Sequence, residues 1–215
     1  LRAEAEVGLP WQVNVEATKH IAAVCRQTHK HLLYLSTDYV FDGTKEEYSE
    51  EDTPNPQGWY AITKYEGEKY VRALGPLGLI VRIANPYRAN PIGKTDFVHK
   101  IRDRLCDGNT VEAADDQLFV PTFIDDIALA IATLMKQNAC DIYHVVGVDA
   151  ISPFVAAQTI ARVFGLNESL VVKITFAQFI AGRSPAPQKA VLAHDKINRF
   201  GVRMKTFRQG LEVVK

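Results

Sequence analysis

His31-Leu-Leu-Tyr-Leu-Ser-Thr37 is the stretch of sequence that decides the fold. It is a short apolar run that ends in two hydroxyl side chains, a pattern typical of a buried strand in a parallel sheet. Ligands of open α/β sheets bind at the carboxyl ends of such strands. The stretch therefore predicts a parallel α/β sheet with Ser36 and Thr37 at the edge where a ligand binds.

A second segment, Tyr60-Ala-Ile-Thr-Lys64, spaces a tyrosine and a lysine four residues apart. On a helix these two side chains lie on one face, and an ammonium group one turn away lowers the pKa of a phenol from its usual value near ~10. A hydroxyl from Thr37 or Ser36 can hydrogen-bond the reacting oxygen. Together the groups indicate proton transfer coupled to hydride transfer at a C–OH/C=O centre. The spacing alone is also compatible with an ordinary surface helix.

The surrounding sequence alternates between helical and strand patterns. Helical spacing predicts helices over residues 15–28, 60–74, 97–105, 124–135 and 152–164, and apolar runs predict strands over 32–35, 77–84, 110–113 and 142–146. Thr122-x-x-Asp125 has the pattern of a capping box for the fourth helix, which explains both residues without catalysis. Ser152 before Pro153 is typical of an N-cap. The polar segment 44–58 predicts a loop, placed where a lid over the substrate is expected.

Length, composition and net charge limit which kinds of protein this chain can be. The 215 residues suffice for one large domain or one domain plus a small lobe, and 47% apolar with 23% charged residues is ordinary for a globular protein. The net charge of +0 gives no electrostatic reason to expect nucleic acid or an acidic membrane as partner. No long apolar run or signal-like start occurs, so a cytoplasmic protein is expected. The three cysteines, Cys25, Cys106 and Cys140, form no C-x-x-C pair, which indicates a reducing compartment and no metal site.

The string Ser36-Thr-Asp-Tyr-Val-Phe-Asp-Gly43, followed by Tyr-x-x-x-Lys at 60–64, resembles the extended short-chain dehydrogenase/reductase family, and within it the dTDP-4-dehydrorhamnose reductase group. Residues 116–126 are similar to that group's D-Q-x-G-x-P-T…D-D segment, with Phe119 where glycine is usual. Asn14-Val15-x-x-Thr18 resembles the family's asparagine-bearing helix start. The resemblance covers nearly the whole chain. It implies an α/β fold, a Rossmann-like doubly wound parallel sheet that is N-terminally incomplete, with a small C-terminal α+β substrate lobe.

The resemblance also implies a domain organisation. Residues 1–150 are expected to hold the remainder of the NAD(P)-binding Rossmann domain with the catalytic residues, interleaved with substrate-lobe segments around 86–120, and residues 151–215 mainly the substrate-binding lobe. The family opens with a glycine-rich turn that cradles the cofactor pyrophosphate, and no such motif occurs here. We expect a region of roughly 60–80 residues with the missing βαβ units. Whether it was cut off, is cleaved or disordered, or comes from another chain stays open.

Each site residue takes an expected role from the resemblance. Tyr60 is the acid that protonates the substrate ketone, Lys64 holds the cofactor ribose and lowers the pKa of Tyr60, and Thr37 hydrogen-bonds the reacting oxygen. Expected cofactor contacts are Ser36, Tyr60, Lys64 and Asn85, and expected substrate contacts are Asp38, Tyr39, Asn85 and Gln117. The sequence leaves open whether Gln117 touches substrate or holds a loop. No metal ligand is expected.

Two departures from related sequences bear on the substrate. The related 4,6-dehydratases carry a glutamate at the position of Tyr39, because elimination of water needs an extra acid and base, so Tyr39 favours simple reduction. Residues 187–192 resemble the reductase group's R-P-x-x-S-x-L segment, but Ala186 replaces its arginine and Ala190 its serine. An arginine there would suit a diphosphate, and Arg183 is the nearby candidate to substitute for it.

Three functions are compatible with these features. The first is an NADPH-dependent reductase, with NADH as the other cofactor choice, acting on a nucleotide-linked 4-keto-6-deoxy sugar; homodimers are common in the family, so a homodimer is one expected assembly. The second is a non-catalytic NADP-binding regulatory subunit similar to the β subunit of methionine adenosyltransferase. The third is an inactive remnant that folds but binds no dinucleotide.

Overall fold

The computed structural model of the protein describes residues 8–215. The helices are α1 (residues 8–28, with a π-helical segment at Gln12–Glu16), α2 (Trp59–Arg72), α3 (Phe97–Cys106), α4 (Ile124–Lys136), α5 (Pro153–Phe164), α6 (Phe176–Ile180), α7 (Asp195–Asn198) and α8 (Phe207–Val214). The strands are β1 (Leu32–Thr37), β2 (Gly78–Ile83), β3 (Pro86–Tyr87), β4 (Val111–Ala114), β5 (Thr122–Phe123), β6 (Asp141–His144) and β7 (Val171–Ile174). Every helix and strand predicted from the sequence is present, with shifted ends.

The largest sheet is parallel and has three strands in the order β1-β2-β6. Thr37 pairs in register with Ile83, and Arg82 with His144, so the carboxyl ends of the three strands meet at one edge. Strands β3 and β5 form one two-stranded parallel sheet, and β4 and β7 form another. These parallel sheets with intervening helices confirm the predicted α/β fold class.

Both faces of the central strand β2 are buried, as expected for a parallel sheet covered by helices. On one face, Leu79 and Val81 pack with Leu134 of α4. On the other face, Ile80 packs with Val71 of α2. The chain returns to the first face near its end, where Ile197 joins that core. A residue from the predicted C-terminal lobe thus packs against the large sheet, and the predicted domain organisation, with its division at residue 150, stays a prediction.

Thr122 does not cap helix α4, so the predicted capping box is wrong. Thr122 lies in β5, its hydroxyl donates to the Val120 carbonyl at 3.3 Å, and it accepts from the Gly147 amide at 3.1 Å. The helix N-cap is Phe123, which makes no side-chain cap hydrogen bond. The backbone of Thr122 is used by strand pairing, and its hydroxyl satisfies a buried amide instead. The Ser152 N-cap is confirmed, because its Oγ accepts from the Val155 amide at 3.1 Å.

The segment 44–58 is anchored to the core rather than free to act as a lid. Tyr48 is buried and its ring stacks on Phe41 at a centroid distance of 4.2 Å. The Tyr48 backbone amide donates to the Val191 carbonyl at 2.9 Å, and the Asn55 amide donates to the Val40 carbonyl at 2.9 Å. The expected lid is therefore not supported by the packing of this loop. In the part of the chain that the structure describes, no helix has the length and apolar character needed to cross a membrane.

Gly67 lets helices α1 and α2 approach closely, and Gly67→Ala is expected to destabilise the protein by about 1–3 kcal/mol. A Cβ at this position would overlap the Tyr34 hydroxyl oxygen and the Asn14 carbonyl oxygen. Glycine to alanine in a helix is normally stabilising where space allows. Gly8→Ala is the control, because Gly8 lies in helix α1 and no atom of residues 8–215 comes within 4 Å of the position its Cβ would take, so this variant is expected to be neutral or stabilising. Equal thermal unfolding temperatures for the two variants would contradict the close-packing argument.

Candidate active site

Tyr60 and Thr37 meet at the carboxyl edge of the large sheet. Thr37 is the last residue of β1, and Tyr60 lies in the first turn of α2, with Gly58 in extended conformation as N-cap. The Thr37 hydroxyl lies close enough to the Tyr60 phenol to lower its pKa. The Tyr60 side chain is nevertheless 52% exposed, so its hydroxyl can be reached by a ligand. The structure thus brings together the predicted acid and its predicted hydroxyl partner.

The π-helical segment of α1 supports the first turn of α2. The Asn14 side-chain amide donates to Thr63 Oγ1 at 3.0 Å, and the Thr63 hydroxyl donates to the Tyr60 carbonyl at 2.8 Å. π-Helical segments occur frequently at functional sites, because they redirect a backbone or side chain within a helix. Asn14 lies inside α1 rather than at the predicted helix start, and it fixes the backbone of the candidate acid.

Lys64 lies one turn after Tyr60 and faces an aromatic ring. Its Nζ lies 4.0 Å from the centroid of the Tyr34 ring, and the Tyr34 hydroxyl donates to the Lys64 carbonyl at 3.3 Å. Burial lowers the pKa of Lys64 to about 8, and the Glu68 carboxylate partly opposes this shift. Within residues 8–215 the ammonium forms no ion pair. A half-buried ammonium with a π-face as its neighbour fits a ligand that offers hydroxyl oxygens, such as a ribose.

The pKa of Tyr60 shifts in the direction opposite to the prediction. Burial raises the pKa of the Tyr60 phenol, the neighbouring Asp38 carboxyl raises it further, and the Thr37 hydrogen bond lowers it. Lys64 is not among the causes. Its ammonium stands over the Tyr34 ring, so the expected lowering by Lys64 is absent from this arrangement. The phenol is therefore held in its protonated, proton-donating form at neutral pH.

Asp38 and Ser36 flank Thr37 and are deeply buried. Asp38 is 2% exposed, and its Oδ1 accepts from the Thr37 hydroxyl at 2.9 Å. Asp38 Oδ2 and Ser36 Oγ have no hydrogen-bond partner among the described residues. Asp38, an expected substrate contact, is not among the residues that line the cavity described next, and its contact with substrate stays a prediction. Ser36, the expected cofactor contact, is likewise buried, and its role stays a prediction.

A cavity of about 300 Å³ lies beside this group of residues. Tyr39, Asn85 and Gln117, the other expected substrate contacts, all line it. Asn85 follows β2 with a left-handed backbone at φ 39°, and the Gln117 side-chain amide donates weakly to the Pro187 carbonyl at 3.4 Å. Gln117 therefore both lines the cavity and holds a loop. Three residues predicted from separate parts of the sequence converge on one cavity.

The apolar wall of the cavity was not predicted. Phe97, Phe119 and Phe179 contribute aromatic surface to it, from α3, the segment before β5, and α6. Flat aromatic walls suit a planar ring such as a nucleobase. The Arg183 guanidinium lies over the Phe179 ring at 4.5 Å, so the proposed arginine substitute stands against a wall residue. Ala190, which replaces the family's serine, also lines the cavity.

Behind the site, a buried charged pair joins α2 to the sheet. Arg82 of β2 donates to both carboxylate oxygens of Glu68, from Nε at 2.9 Å and from Nη2 at 2.7 Å. Arg82 Nη1 lies 3.4 Å from His144 Nε2. Glu68 follows Lys64 by one helical turn, which places this pair under the candidate catalytic face. Sequence reasoning missed this network, although an arginine within an apolar strand run was a visible signal.

Comparison with known proteins agrees with the resemblance. The family model described as RmlD substrate binding domain matches residues 1–214. The chain is 32% identical over 197 residues to a dTDP-4-dehydrorhamnose reductase of Mycobacterium tuberculosis, covering 89% of this chain and 63% of that protein. It is 30% identical over 208 residues to the bovine methionine adenosyltransferase 2 subunit beta, covering 94% of this chain and 62% of that protein. The chain thus spans less than two thirds of either relative.

A solved structure of a related protein has the same fold as this chain. The dTDP-4-dehydrorhamnose reductase of Bacillus anthracis, crystallised in complex with NADP, superposes with a TM-score of 0.88 at 27% identity, covering 98% of this chain and 74% of that one. The chain therefore belongs to the RmlD substrate binding domain family, in the dTDP-4-dehydrorhamnose reductase group of the extended short-chain dehydrogenases/reductases.

Proposed function

We propose that this chain carries the catalytic and substrate-binding part of an NADPH-dependent reductase of a nucleotide-linked 4-keto-6-deoxy sugar. The observation that carries the proposal is that Thr37 lies near Tyr60, with Lys64 one helical turn further along α2, while Tyr39, two residues after Thr37, lines a cavity together with Asn85 and Gln117. The named activity of the mycobacterial relative and the NADP in the Bacillus anthracis structure support the choice of reaction and of NADPH over NADH.

The proposed chemistry uses this chain's own groups for proton transfer. The nicotinamide supplies hydride to the carbonyl carbon when the cofactor is bound. Tyr60 donates its phenolic proton to the carbonyl oxygen, and Thr37 stabilises the oxygen on which negative charge develops. Lys64 holds the ribose hydroxyls, and the unpartnered Ser36 Oγ faces the cofactor. Because Tyr39 cannot act as the carboxylate that water elimination needs, the site supports reduction rather than dehydration.

A regulatory subunit is the second candidate. The match to the methionine adenosyltransferase β subunit and the replacement of the family's arginine and serine by Ala186 and Ala190 favour it. The two candidates differ in an observable property, because a regulatory subunit would bind NADPH and co-purify with a larger synthetase without oxidising the cofactor. The complete set of Thr37, Tyr60 and Lys64 makes the reductase the better supported of the two.

NADPH binding followed by an activity assay tests the proposal. Titration of NADPH into the 215-residue chain and into a longer chain that carries the glycine-rich turn, followed by nicotinamide fluorescence, is expected to show saturable binding at least in the longer chain. That chain should then oxidise NADPH when dTDP-4-dehydro-L-rhamnose is added. Binding without turnover of any 4-keto sugar nucleotide would favour the regulatory subunit. If neither chain binds NADPH although both are folded, the protein would instead be an inactive remnant that binds no dinucleotide.

A further inference from the structure

Tyr34 of β1 contacts both helices next to the candidate active site, and the proposed mechanism gives it no role. It is 9% exposed and packs with Val71 of α2. Its hydroxyl oxygen lies 3.3 Å from the Lys64 carbonyl oxygen in α2 and 3.4 Å from the Asn14 carbonyl oxygen in α1. A phenol has one proton, so the Tyr34 hydroxyl shares it between these two carbonyls. Tyr34 therefore connects the large sheet to both helices.

Gly67 of α2 provides the space for the Tyr34 hydroxyl. A Cβ at position 67 would overlap the Tyr34 hydroxyl oxygen and the Asn14 carbonyl oxygen. The hydroxyl end of the ring therefore lies in the contact between α1 and α2, while the other end is attached to β1. Because both ends are held, the ring has one orientation, and a face of it is turned to Lys64, whose Nζ lies 4.0 Å from the ring centroid.

The Lys64 ammonium forms no ion pair within residues 8–215, although a glutamate lies one helical turn away. Glu68 follows Lys64 by four residues, a spacing at which lysine and glutamate side chains normally attract each other. Both carboxylate oxygens of Glu68 instead accept from Arg82, at 2.9 and 2.7 Å, and both of these side chains are fully buried. Because Arg82 occupies the carboxylate, the Lys64 ammonium lies against the Tyr34 ring.

An aromatic face holds an ammonium differently from a carboxylate. It attracts the cation through the ring quadrupole, and the N–H groups that point away from the ring stay free to donate to oxygen ligands. It also orders the lysine side chain before a ligand arrives, so that binding does not have to bear this entropy cost. We propose that Tyr34 is a positioning residue, whose ring face holds the Lys64 ammonium in place for the ribose hydroxyls of the cofactor. This inference rests on the proposed reductase function, in which Lys64 binds those hydroxyls.

The direct test is NMR of the chain labelled with ¹³C in its lysines, and it needs no cofactor. The Lys64 ε-methylene signal is assigned by its loss in Lys64→Met. Protons above an aromatic face resonate upfield because of the ring current, so we expect this signal to lie upfield of those of solvated lysines. We expect Tyr34→Leu to abolish the upfield shift and Tyr34→Phe, which keeps the ring, to retain it. An unshifted Lys64 signal in the unmodified chain, a shift that persists in Tyr34→Leu, or a shift that is lost in Tyr34→Phe would overturn the inference.

A second lysine–tyrosine contact on the same helix supplies the matched control. Lys69 Nζ lies 4.8 Å from the Tyr65 ring centroid. Tyr65→Leu is therefore expected to move the Lys69 signal and to leave the Lys64 signal in place; a Lys64 signal that moves equally in both leucine variants would count against Tyr34. If Tyr34→Leu does not fold, cross-relaxation in the unmodified chain decides the question. The Lys64 ε protons should show it to the Tyr34 ring protons, and its absence would overturn the inference.

NADPH affinity gives the functional readout, in the chain that binds the cofactor. Tyr34→Leu is expected to raise the Kd of NADPH by about 3–30-fold, the range of a partly desolvated cation–π contact, whereas Tyr34→Phe should stay within about twofold. In a Lys64→Met background, Tyr34→Leu should have little further effect, because the residue acts through Lys64.

Two results of this titration would overturn the inference. An equal loss of affinity with and without the Lys64 side chain would mean that Tyr34 acts only through the fold. Tighter NADPH binding in Tyr34→Leu would mean that the ring holds Lys64 away from the cofactor. A failure of every unmodified chain to bind NADPH would refute the proposed function instead, while the NMR experiment would still decide whether the Tyr34 ring holds Lys64.

Discussion

Glu68→Gln is expected to lower the free energy of unfolding by about 3–5 kcal/mol, the usual cost of leaving one member of a buried ion pair uncompensated. Arg82 and Glu68 both have side chains that are 0% exposed, so no solvent replaces the lost charge. The substitution keeps the volume but puts an amide NH₂ against a guanidinium that can only donate. The paired geometry with two hydrogen bonds cannot be kept.

The pair is embedded in a network that joins three elements of the fold. Arg82 can only donate, so His144 Nε2 must accept from it, and the protonated Nδ1 donates to the Ala193 carbonyl at 3.1 Å. Burial and the Arg82 charge lower the pKa of His144 to about 3, which keeps the imidazole neutral. The Arg82 guanidinium also lies 5.0 Å from the Phe41 ring. Removal of the Glu68 charge therefore affects α2, β2 and β6 together.

Chemical denaturation of matched variants measures this effect. Glu66 lies on the same helix and pairs with Lys69 at 2.6 Å in an exposed position, so Glu66→Gln is expected to change the free energy of unfolding by less than about 1 kcal/mol. A double replacement of Glu68 and Arg82 by Leu and Met should recover part of the loss, since it removes both buried charges. Similar values for the Glu66 and Glu68 variants would show that the buried pair does not stabilise the fold.

The parts of the structure that depend on local sequence could be predicted. The strand before Ser36 and the helix that carries Tyr60 and Lys64 follow from periodicity alone, because a buried parallel strand and an amphipathic helix have different patterns. The convergence of Tyr39, Asn85 and Gln117 on one cavity came from the resemblance, since nothing local relates these residues. The structure supports it through their shared cavity.

The parts of the structure in which several groups compete for the same side chain could not be predicted from the sequence. Thr122 has the sequence pattern of an N-cap, but its backbone pairs within strand β5 and its hydroxyl accepts from the Gly147 amide, so the N-cap is Phe123. Asp38 follows Thr37 in sequence, and only the short 3-10 turn Asp38–Val40 buries its carboxyl beneath the site. The position of Lys64 over the Tyr34 ring likewise depends on tertiary packing, which is why its expected effect on the pKa of Tyr60 failed.

Tyr60→Phe is expected to reduce the proposed reductase rate by about 10²–10⁴-fold, the usual contribution of a positioned acid. Phenylalanine keeps the ring and removes only the hydroxyl, and a side chain that is half exposed contributes little to folding. NADPH affinity should therefore change little, because the loss falls on proton transfer. Tyr70→Phe, on the same helix and outside the candidate site, is the control and should retain the rate.

The raised pKa of Tyr60 makes this prediction specific for the direction of reaction. A phenol that stays protonated at neutral pH is ready to donate to a carbonyl oxygen, whereas oxidation of an alcohol would need the phenolate as base. Tyr60→Phe should thus remove a proton donation that needs no prior ionisation of the phenol. The reduction rate of the variant should therefore be lower than that of the unmodified protein by the same factor at every pH at which Tyr60 is protonated. A variant that keeps most of its rate would mean that Thr37 or water donates the proton, and the role of Tyr60 as acid would be wrong.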